Sequence, residues 1–303
     1  MSNNYIKSPL NYTGGKHKLL PQLMPLFPTD ISVFIDIFCG GANVGVNSNA
    51  PKVIYNDFNK DLIGLLKIFK KNDYKKMVQK VEKIIAYYEL SDSTKHGYSF
   101  YGCNSGEGLG AYNKSRFLSL REDFNKLEKK NEQYYLYLFT LIIYAFNNQI
   151  RFNSSGEFNL PVGKRDFNSN IRQNLLNFIE ALASQETIFL SKDFRKFKIS
   201  EMESGSFIYC DPPYLITTAS YNEMGGWTEK DEKDLLKFLD SIDEAGLRFA
   251  LSNVTKHKGR ENTILLEWAE KYCVHDLNFN YINSSYHGKY TEKETQEVLI
   301  TNY

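Results

Sequence analysis

Short apolar runs alternate along this chain with longer stretches in which apolar residues recur at helical spacing. Val33-Phe34-Ile35-Asp36-Ile37-Phe38 ends in Cys39-Gly40-Gly41-Ala42 and predicts a buried strand turning through glycines into a helix. Lys52-Val53-Ile54-Tyr55-Asn56 predicts the next strand, closed by Asp57. From Leu62 to Tyr88 the spacing of Leu65, Leu66, Phe69, Val78, Val81 and Ile84 is helical. A polar, glycine-rich stretch from Ser91 to Gly110 reads as a loop, followed by helical segments over Lys114 to Leu127 and Tyr134 to Phe146. Between Ile150-Arg151-Phe152 and Phe158-Asn159-Leu160, the turn Ser154-Ser155-Gly156 predicts a hairpin within Arg151 to Lys164. Strand-like runs resume at Thr187 to Leu190, Phe207 to Cys210, Arg248 to Ser252, Val274 to Phe279 and Val298 to Thr301, with helical patterns before the third and fourth. This alternation argues for an α/β protein with a mainly parallel sheet covered by helices and interrupted by a helical insert.

Composition sharpens that picture. The 303 residues are 42% hydrophobic and 24% charged, enough for one large or two ordinary domains with a real core. No stretch approaches the roughly 18 apolar residues of a membrane span, and Met1 to Tyr5 has no basic region leading into an apolar core. A soluble, cytoplasmic protein without membrane association is expected. Cysteines 39, 103, 210 and 273 lie too far apart for metal-site spacing and are read as reduced and structural, so no metal is expected. The net charge of +1 hides an asymmetry. Residues 60–172 hold 19 Lys and Arg against 12 Asp and Glu, a balance of +7, and the remainder holds 18 against 24, or −6. A basic insert in an acidic frame fits a polyanion-binding module; the same lysines also fit a solvated helical surface.

The chemistry concentrates at Asp211-Pro212-Pro213-Tyr214, directly after the apolar run Phe207 to Cys210. Two prolines cannot continue a sheet ladder, so the carboxylate is held where the strand ends, which is where open α/β sheets bind ligands. An acid, a backbone carbonyl and an aromatic ring together suit a planar base with an exocyclic amino group. A tight turn closing a buried strand is the structural alternative. Upstream, Phe38 to Ala42 lacks the G-x-G-x-x-G spacing, which disfavours a pyrophosphate cofactor and leaves room for an unphosphorylated nucleoside. Asp57 is placed to take ribose hydroxyls, or else to cap a helix starting near Asn59. Tyr12-Thr13-Gly14-Gly15-Lys16 is not a phosphate loop, because Leu10 stands where the first glycine belongs and His17 follows the lysine. Its ring and glycines suit packing on a flat ligand, and Lys16 could pair with a ligand carboxylate or with Asp211.

Taken in this linear order, Tyr12 to Lys16, Phe34 to Ala42, Asp57 and Asp211 to Tyr214 resemble the DNA adenine-N6 methyltransferases of the alpha group, the GATC-type adenine methylase family, over nearly the whole chain. The Asp-Pro-Pro-Tyr motif alone also resembles that of cytosine-N4 enzymes. The resemblance implies a Rossmann-like, mixed and mainly parallel seven-stranded sheet with helices on both faces, plus a helical target-recognition insert carrying a β-hairpin. It implies a catalytic domain over 1–59 and 173–303, a DNA-binding domain over 60–172, and S-adenosyl-L-methionine as donor. By it, Tyr12, Lys16, Asp36, Phe38, Asp57, Asp193, Phe194 and Asp211 line the cofactor site, and Asp211, Pro212 and Tyr214 handle the target amino group. Ala42 stands where many relatives have glycine.

The basic insert falls where this family keeps its target-recognition region. Phe146 to Asn153, continuing through Gly156 to Pro161, resembles the hairpin that enters the DNA groove. Asn147, Gln149, Arg151 and Asn153 have side chains suited to base edges or to the hairpin that carries them, and Lys164 and Arg165 would hold phosphates. An ordinary polar hairpin is the alternative. The implied activity is adenine-N6 methylation of double-stranded DNA by base flipping, within a short GATC-like site, by a bacterial or phage-encoded, monomeric enzyme of the cytoplasm, with a restriction endonuclease as a functional companion. Cytosine-N4 methylation and a catalytically silent DNA-binding relative are the competing readings.

Overall fold

The computed structural model describes residues 5–12, 14–217, 226–277 and 295–303. In chain order its α helices and strands are α1 (Leu20–Leu23), β1 (Val33–Asp36), β2 (Lys52–Asn56), α2 (Lys60–Lys71), α3 (Tyr74–Tyr87), α4 (Ser93–His96), α5 (Gly110–Asn125), α6 (Glu132–Tyr144), α7 (Ser169–Ser184) and β3 (Glu186–Leu190). They continue with β4 (Ser206–Cys210), α8 (Glu229–Glu244), β5 (Arg248–His257), β6 (Arg260–Glu261), α9 (Thr263–Ala269), β7 (Cys273–Leu277) and β8 (Thr295–Thr301). They fall into two compact units, one built on residues 16–58 and 186–303, the other on 6–15 and 59–185. Helix α7 runs through the boundary expected at 172 and belongs whole to the second unit.

The first unit is the sheet, with strand order β3-β2-β1-β4-β5-β8-β7 and the two-residue β6 paired to β5. β1 pairs in parallel with β2 and β4, β2 with β3, and β4 with β5; β8 is antiparallel to β5 and β7. Every residue of β1 and β4 is buried, the pattern of central parallel strands covered on both faces. Successive side chains alternate between the faces. Val33, Ile35, Ile208, Phe249 and Leu251 pack with Leu235, Leu239 and Ile242 of α8 and Leu265 of α9. On the other face, Phe34, Phe207 and Tyr209 gather around Phe27, with ring centroids 5.1–6.0 Å away. The chain leaves β1 toward β2 and β3 on one side and returns to β4 and β5 on the other. The carboxyl ends of β1 and β4 therefore flank the switch point where such sheets bind ligands.

Three local expectations are corrected. The glycine turn after β1 leads only into a 3₁₀ turn, Gly45–Asn47, and not into an α helix. Nine residues separate Ala42 from β2, and three of them are asparagines that compete for backbone hydrogen bonds; Asn47 Nδ2 donates to the Asn43 carbonyl at 2.8 Å. The periodic stretch from Leu62 to Tyr88 is two helices, because Asn72 leaves the helical conformation and Asp73 caps α3 through the Lys76 amide. The loop from Ser91 to Gly110 contains α4 and a 3₁₀ turn at Ser99–Tyr101. Residues 278 and 279, in the run expected to form a strand from Val274 to Phe279, lie outside the described residues, as does Thr13.

The second unit is helical. Phe69 of α2 meets Phe139 of α6 and Phe178 of α7 edge-on at 5.0 and 6.1 Å. Gly64 admits Tyr135, whose ring would lie 2.1 Å from any added Cβ. Between Arg151 and Lys164 there is no strand ladder. An isolated bridge joins Phe152 to Phe158, another joins Ala145 to Val162, and the Asn153 side chain organises the tip by accepting from the Ser155 and Glu157 amides. The hairpin of the sequence reading is thus an Asx-stabilised loop stitched at two points.

Candidate active site

Asp36 closes β1 opposite Tyr209 of β4, so the end of β1 lies beside the point where Asp211 leaves β4. Its carboxylate is 1% exposed. Oδ2 accepts the Gly45 N–H at 3.3 Å, and Oδ1 has no hydrogen-bond partner among the described residues. Burial, then the charge of Asp211, push this carboxyl well above the ordinary range, with the Gly45 amide pulling it part of the way back. An unmatched buried carboxylate oxygen at a sheet's ligand-binding edge is a site for a donor or a cation.

The turn after β1 is fixed from both sides. The Cys39 amide donates to the Asn56 carbonyl at 2.8 Å, and the Gly40 amide to Asp57 Oδ2 at 3.0 Å. Ala42 has φ of 61°, a left-handed conformation that favours glycine, which explains why a methyl here is a departure. Asp57 therefore grips the glycine turn, and Asn59 is the cap of α2. Asn56 ties the edge together: its amide donates to the Ile37 and Lys192 carbonyls and its oxygen accepts the Lys192 amide. Just beyond, Asp193 caps a 3₁₀ turn, Phe194–Lys196, and pairs with Arg195 at 3.2 Å. Phe194 is buried with its ring 5.7 Å from that of Phe38.

At the end of β4, Lys16 opens a 3₁₀ turn, Lys16–Leu19, and is 5% exposed. Its ammonium lies 2.8 Å from Asp211 Oδ1 and 3.3 Å from Glu297 Oε1 of β8. It also donates to the Tyr214 hydroxyl at 2.5 Å and sits 5.0 Å from that ring's centroid. The hydroxyl has one hydrogen to share between Asp211 Oδ1 at 2.9 Å and Glu297 Oε1 at 3.1 Å. Pro212 is buried behind this cluster. Burial acts to lower Lys16, but Asp211 and Glu297 outweigh it, so the ammonium is held above its usual value. Asp211 is raised by burial, against the opposing pull of Lys16 and with a further push from Glu297. Asp211 and Glu297 both lie within reach of the Lys16 ammonium, which raises the ammonium and restrains the rise of Asp211. Burial and the same two acids keep the Tyr214 phenol protonated far above its usual range. Removing one partner from a buried pair of this kind costs about 3–5 kcal/mol.

The first unit thus brings together Lys16, Asp36, Phe38, Asp57, Asp193, Phe194, Asp211, Pro212 and Tyr214. Tyr12 and the residues assigned to DNA belong to the second unit. There Tyr12 is half-buried and its carbonyl accepts the Gly15 amide at 3.1 Å. Asn147 and Asn148 both adopt positive φ, 54° and 53°. Asn148 caps the end of α6, donating to the Ile142 and Ile143 carbonyls, whereas Asn147 is exposed and accepts the Asn11 amide on its carbonyl. Gln149 and Arg151 are half-buried, and Arg151 Nε donates to Asn159 Oδ1 at 2.8 Å. The Asn153 side chain is spent on its own turn, where Nδ2 also donates to Glu157. Lys164 and Arg165 are exposed, the latter 3.4 Å from the Tyr98 hydroxyl. Glu297, Asn56 and Asn159 were not singled out from sequence. The signal for Glu297 was an acid at an inward strand position, alternating with Leu299 and Thr301.

The mainly parallel sheet brings an acidic switch point, a glycine turn held by Asp57 and an Asp-Pro-Pro-Tyr corner to one edge, which places the protein in the α/β class whose open sheets bind ligands there. Residues 12–296 match the model of the D12 class N6 adenine-specific DNA methyltransferases, and the chain belongs to that family. It is 43% identical to the type II methyltransferase M.FokI of Planomicrobium okeanokoites and 42% identical to the modification methylase StsI of Streptococcus sanguinis, each over 100% of this chain and 44% of the relative. The DNA adenine methylase of Escherichia coli K12 is 24% identical over 96% of this chain and 93% of its own. The chain spans less than half the length of the first two relatives.

Proposed function

We propose that this chain transfers a methyl group from S-adenosyl-L-methionine to N6 of adenine in double-stranded DNA. The observation that carries the reading is the Lys16–Asp211–Tyr214–Glu297 cluster beside the unmatched carboxylate oxygen of Asp36. Among the described residues the buried or half-buried acids Asp36, Asp211 and Glu297 outnumber the cation Lys16 at this edge, which suits a cofactor bearing a sulfonium and an ammonium group. Asp36 would take the ammonium, Asp57 the ribose, and Phe38 with Phe194 the adenine ring. Tyr12, by family resemblance, would also line this site. When bound, S-adenosyl-L-methionine supplies an electrophilic methyl group.

The chain's own residues then prepare the acceptor. The target adenine, flipped from the helix, stacks on Tyr214. Asp211 and the Pro212 carbonyl accept its two N6 hydrogens, which favours a pyramidal nitrogen with its lone pair exposed. Lys16 keeps Asp211 ionised, hence an acceptor, and with Glu297 fixes the Tyr214 hydroxyl so that the ring holds its plane. Orientation and electrostatic placement supply most of the acceleration.

Family membership favours adenine over cytosine N4 as the target. The reading extends to a DNA-binding role for the basic insert, 60–172, with Asn147, Gln149 and Arg151 at base edges, Asn153 shaping their loop, and Lys164 and Arg165 on phosphates. It also extends to a short GATC-like site, a monomeric cytoplasmic enzyme and a companion restriction endonuclease. The names of the two most similar relatives given above, a type II methyltransferase and a modification methylase, support the last point. Transfer of labelled methyl to duplex DNA, followed by mass analysis of the nucleosides, tests the activity. N6-methyl-2′-deoxyadenosine that disappears in Asp211→Ala is expected; N4-methyl-2′-deoxycytidine, or no transfer, overturns the reading.

A further inference from the structure

Glu232 is a carboxylate with 0% exposure, in the first turn of α8, and the mechanism above does not use it. No cation pairs with it among the described residues. Oε2 accepts the Trp227 indole N–H at 2.6 Å, and Oε1 accepts the side-chain amides of Asn262 at 2.9 Å and Asn253 at 3.1 Å. Three donors converge on two oxygens. A glutamine could satisfy one side only and would turn its own N–H toward a donor on the other.

Trp227 is the third ring of a corner. Its centroid lies 5.8 Å from Phe38, nearly edge-on at 82°, and 5.9 Å from Phe194. Phe38 and Phe194 are themselves 5.7 Å apart. The same end of α8 also holds Phe194. The Arg195 guanidinium lies 4.5 Å over the Phe194 ring and reaches Asp231 at 2.5 Å and Asp234 at 2.8 Å. Asp231 is fixed in turn by a reciprocal cap with Thr228, the residue after Trp227. Two of three rings are thus bolted to one rigid helix end through separate polar links.

We propose that Trp227 is a cofactor-binding residue, the third wall of the pocket for the nucleoside's adenine ring, and that Glu232 is its positioning residue. The inference rests on the proposed use of S-adenosyl-L-methionine. Trp227 offers that ring a large aromatic face beside Phe38, which lies two residues beyond Asp36 at the carboxyl end of β1. Glu232 spends a buried charge to keep the indole from turning away, and Arg195 does the same for Phe194 from outside.

The test uses the full chain with S-adenosyl-L-methionine and duplex DNA. Glu232→Gln is expected to raise KM for S-adenosyl-L-methionine about tenfold, with kcat at saturation within about threefold of wild type. Trp227→Phe, which keeps a ring but needs no acceptor, should cost about threefold in KM. Adding Glu232→Gln to Trp227→Phe should then cost nothing more, because the donor facing the glutamine is gone. In a Trp268→Phe background Trp227 is the only tryptophan, and its emission should change on titration with S-adenosyl-L-methionine. Wild type that binds and methylates while KM and Trp227 emission stay unmoved in these experiments overturns the inference alone. Wild type that binds no S-adenosyl-L-methionine overturns the proposed function, and this inference with it.

Discussion

Lys16 Nζ lies 2.8 Å from Asp211 Oδ1, and the two residues come from the two separate segments of the first unit, 16–58 and 186–303. The pair bears on the charge of the acid to which the proposed mechanism gives the amino group. Lys16 lowers Asp211 against the upward push of burial. Lys16→Met removes that restraint and one partner of a buried ion pair, at a cost of about 3–5 kcal/mol. Methyl transfer at neutral pH is expected to fall at least about 100-fold, and the acid limb of the residual activity should move to higher pH. Single-turnover methylation across pH measures both. An acid limb that stays in place removes Lys16 from this role.

Glu297 acts on Asp211 in the opposite sense. Its charge raises Asp211, so Glu297→Gln is expected to lower it and to carry activity toward more acid pH, by about one pH unit. The amide oxygen of glutamine still accepts from Tyr214 or Lys16, so the shape survives. Measured beside Lys16→Met, the two variants should bracket the wild-type profile; a shift of both in the same direction is incompatible with this charge balance.

These two residues also mark how far the sequence could be read. β1, β2 and β4 were legible because the middles of covered parallel strands are apolar, and their polar residues, Asp36, Lys52, Asn56 and Ser206, stand at strand ends. Asp211 and Lys16 carried their chemistry in local motifs. Glu297 did not: it lies 83 residues from Tyr214 in an ordinary strand, and only the antiparallel pairing of β8 brings it in. The missing helix after Ala42 was a matter of composition, since asparagines among the nine residues before β2 compete for backbone hydrogen bonds. Within the stretch from Asn147 to Asn159, side-chain chemistry singled out Asn147, Gln149, Arg151 and Asn153 without showing which polar side chains the backbone occupies. Backbone accounting separates them, with Asn148 spent on the end of α6 and Asn153 on its turn.

In the role proposed for it, Asp36 would make cofactor binding a proton-linked event. Burial holds its carboxyl well above the ordinary range near 4, so the free protein carries a proton there over a window of pH above that range. The protonated form favours the fold: this contribution is fully present below the unfolded value and is lost as pH rises through the raised folded value. A cation against Oδ1 reverses the preference. Binding of S-adenosyl-L-methionine is therefore expected to release a proton and to tighten with rising pH until Asp36 is already ionised in the free protein. Calorimetry in two buffers of unlike ionisation enthalpy reads the proton. Asp36→Asn should abolish the release, and release that persists unchanged in that variant assigns the proton elsewhere.

Arg151 and Lys164 offer the sharpest contrast within the basic insert. Arg151 is aimed, with Nε on Asn159 Oδ1 at 2.8 Å and a terminal nitrogen 3.4 Å from the Asn159 carbonyl, whereas Lys164 and Arg165 are exposed at the loop's far end. A fixed guanidinium can read one base pair; exposed cations count phosphates. Arg151→Ala is expected to relax discrimination at a single position of the methylated site by about 1–3 kcal/mol. Asn159→Ala, which leaves the guanidinium in place but unaimed, should produce part of the same loss. Lys164→Ala and Arg165→Ala should weaken binding to all sequences alike and reduce the salt dependence by about one released ion each. Methylation of a set of single-base variants of the site, at two salt concentrations, separates the two patterns. If Arg151→Ala weakens every sequence equally and flattens the salt dependence, Arg151 is a phosphate contact and base reading passes to Asn147 and Gln149.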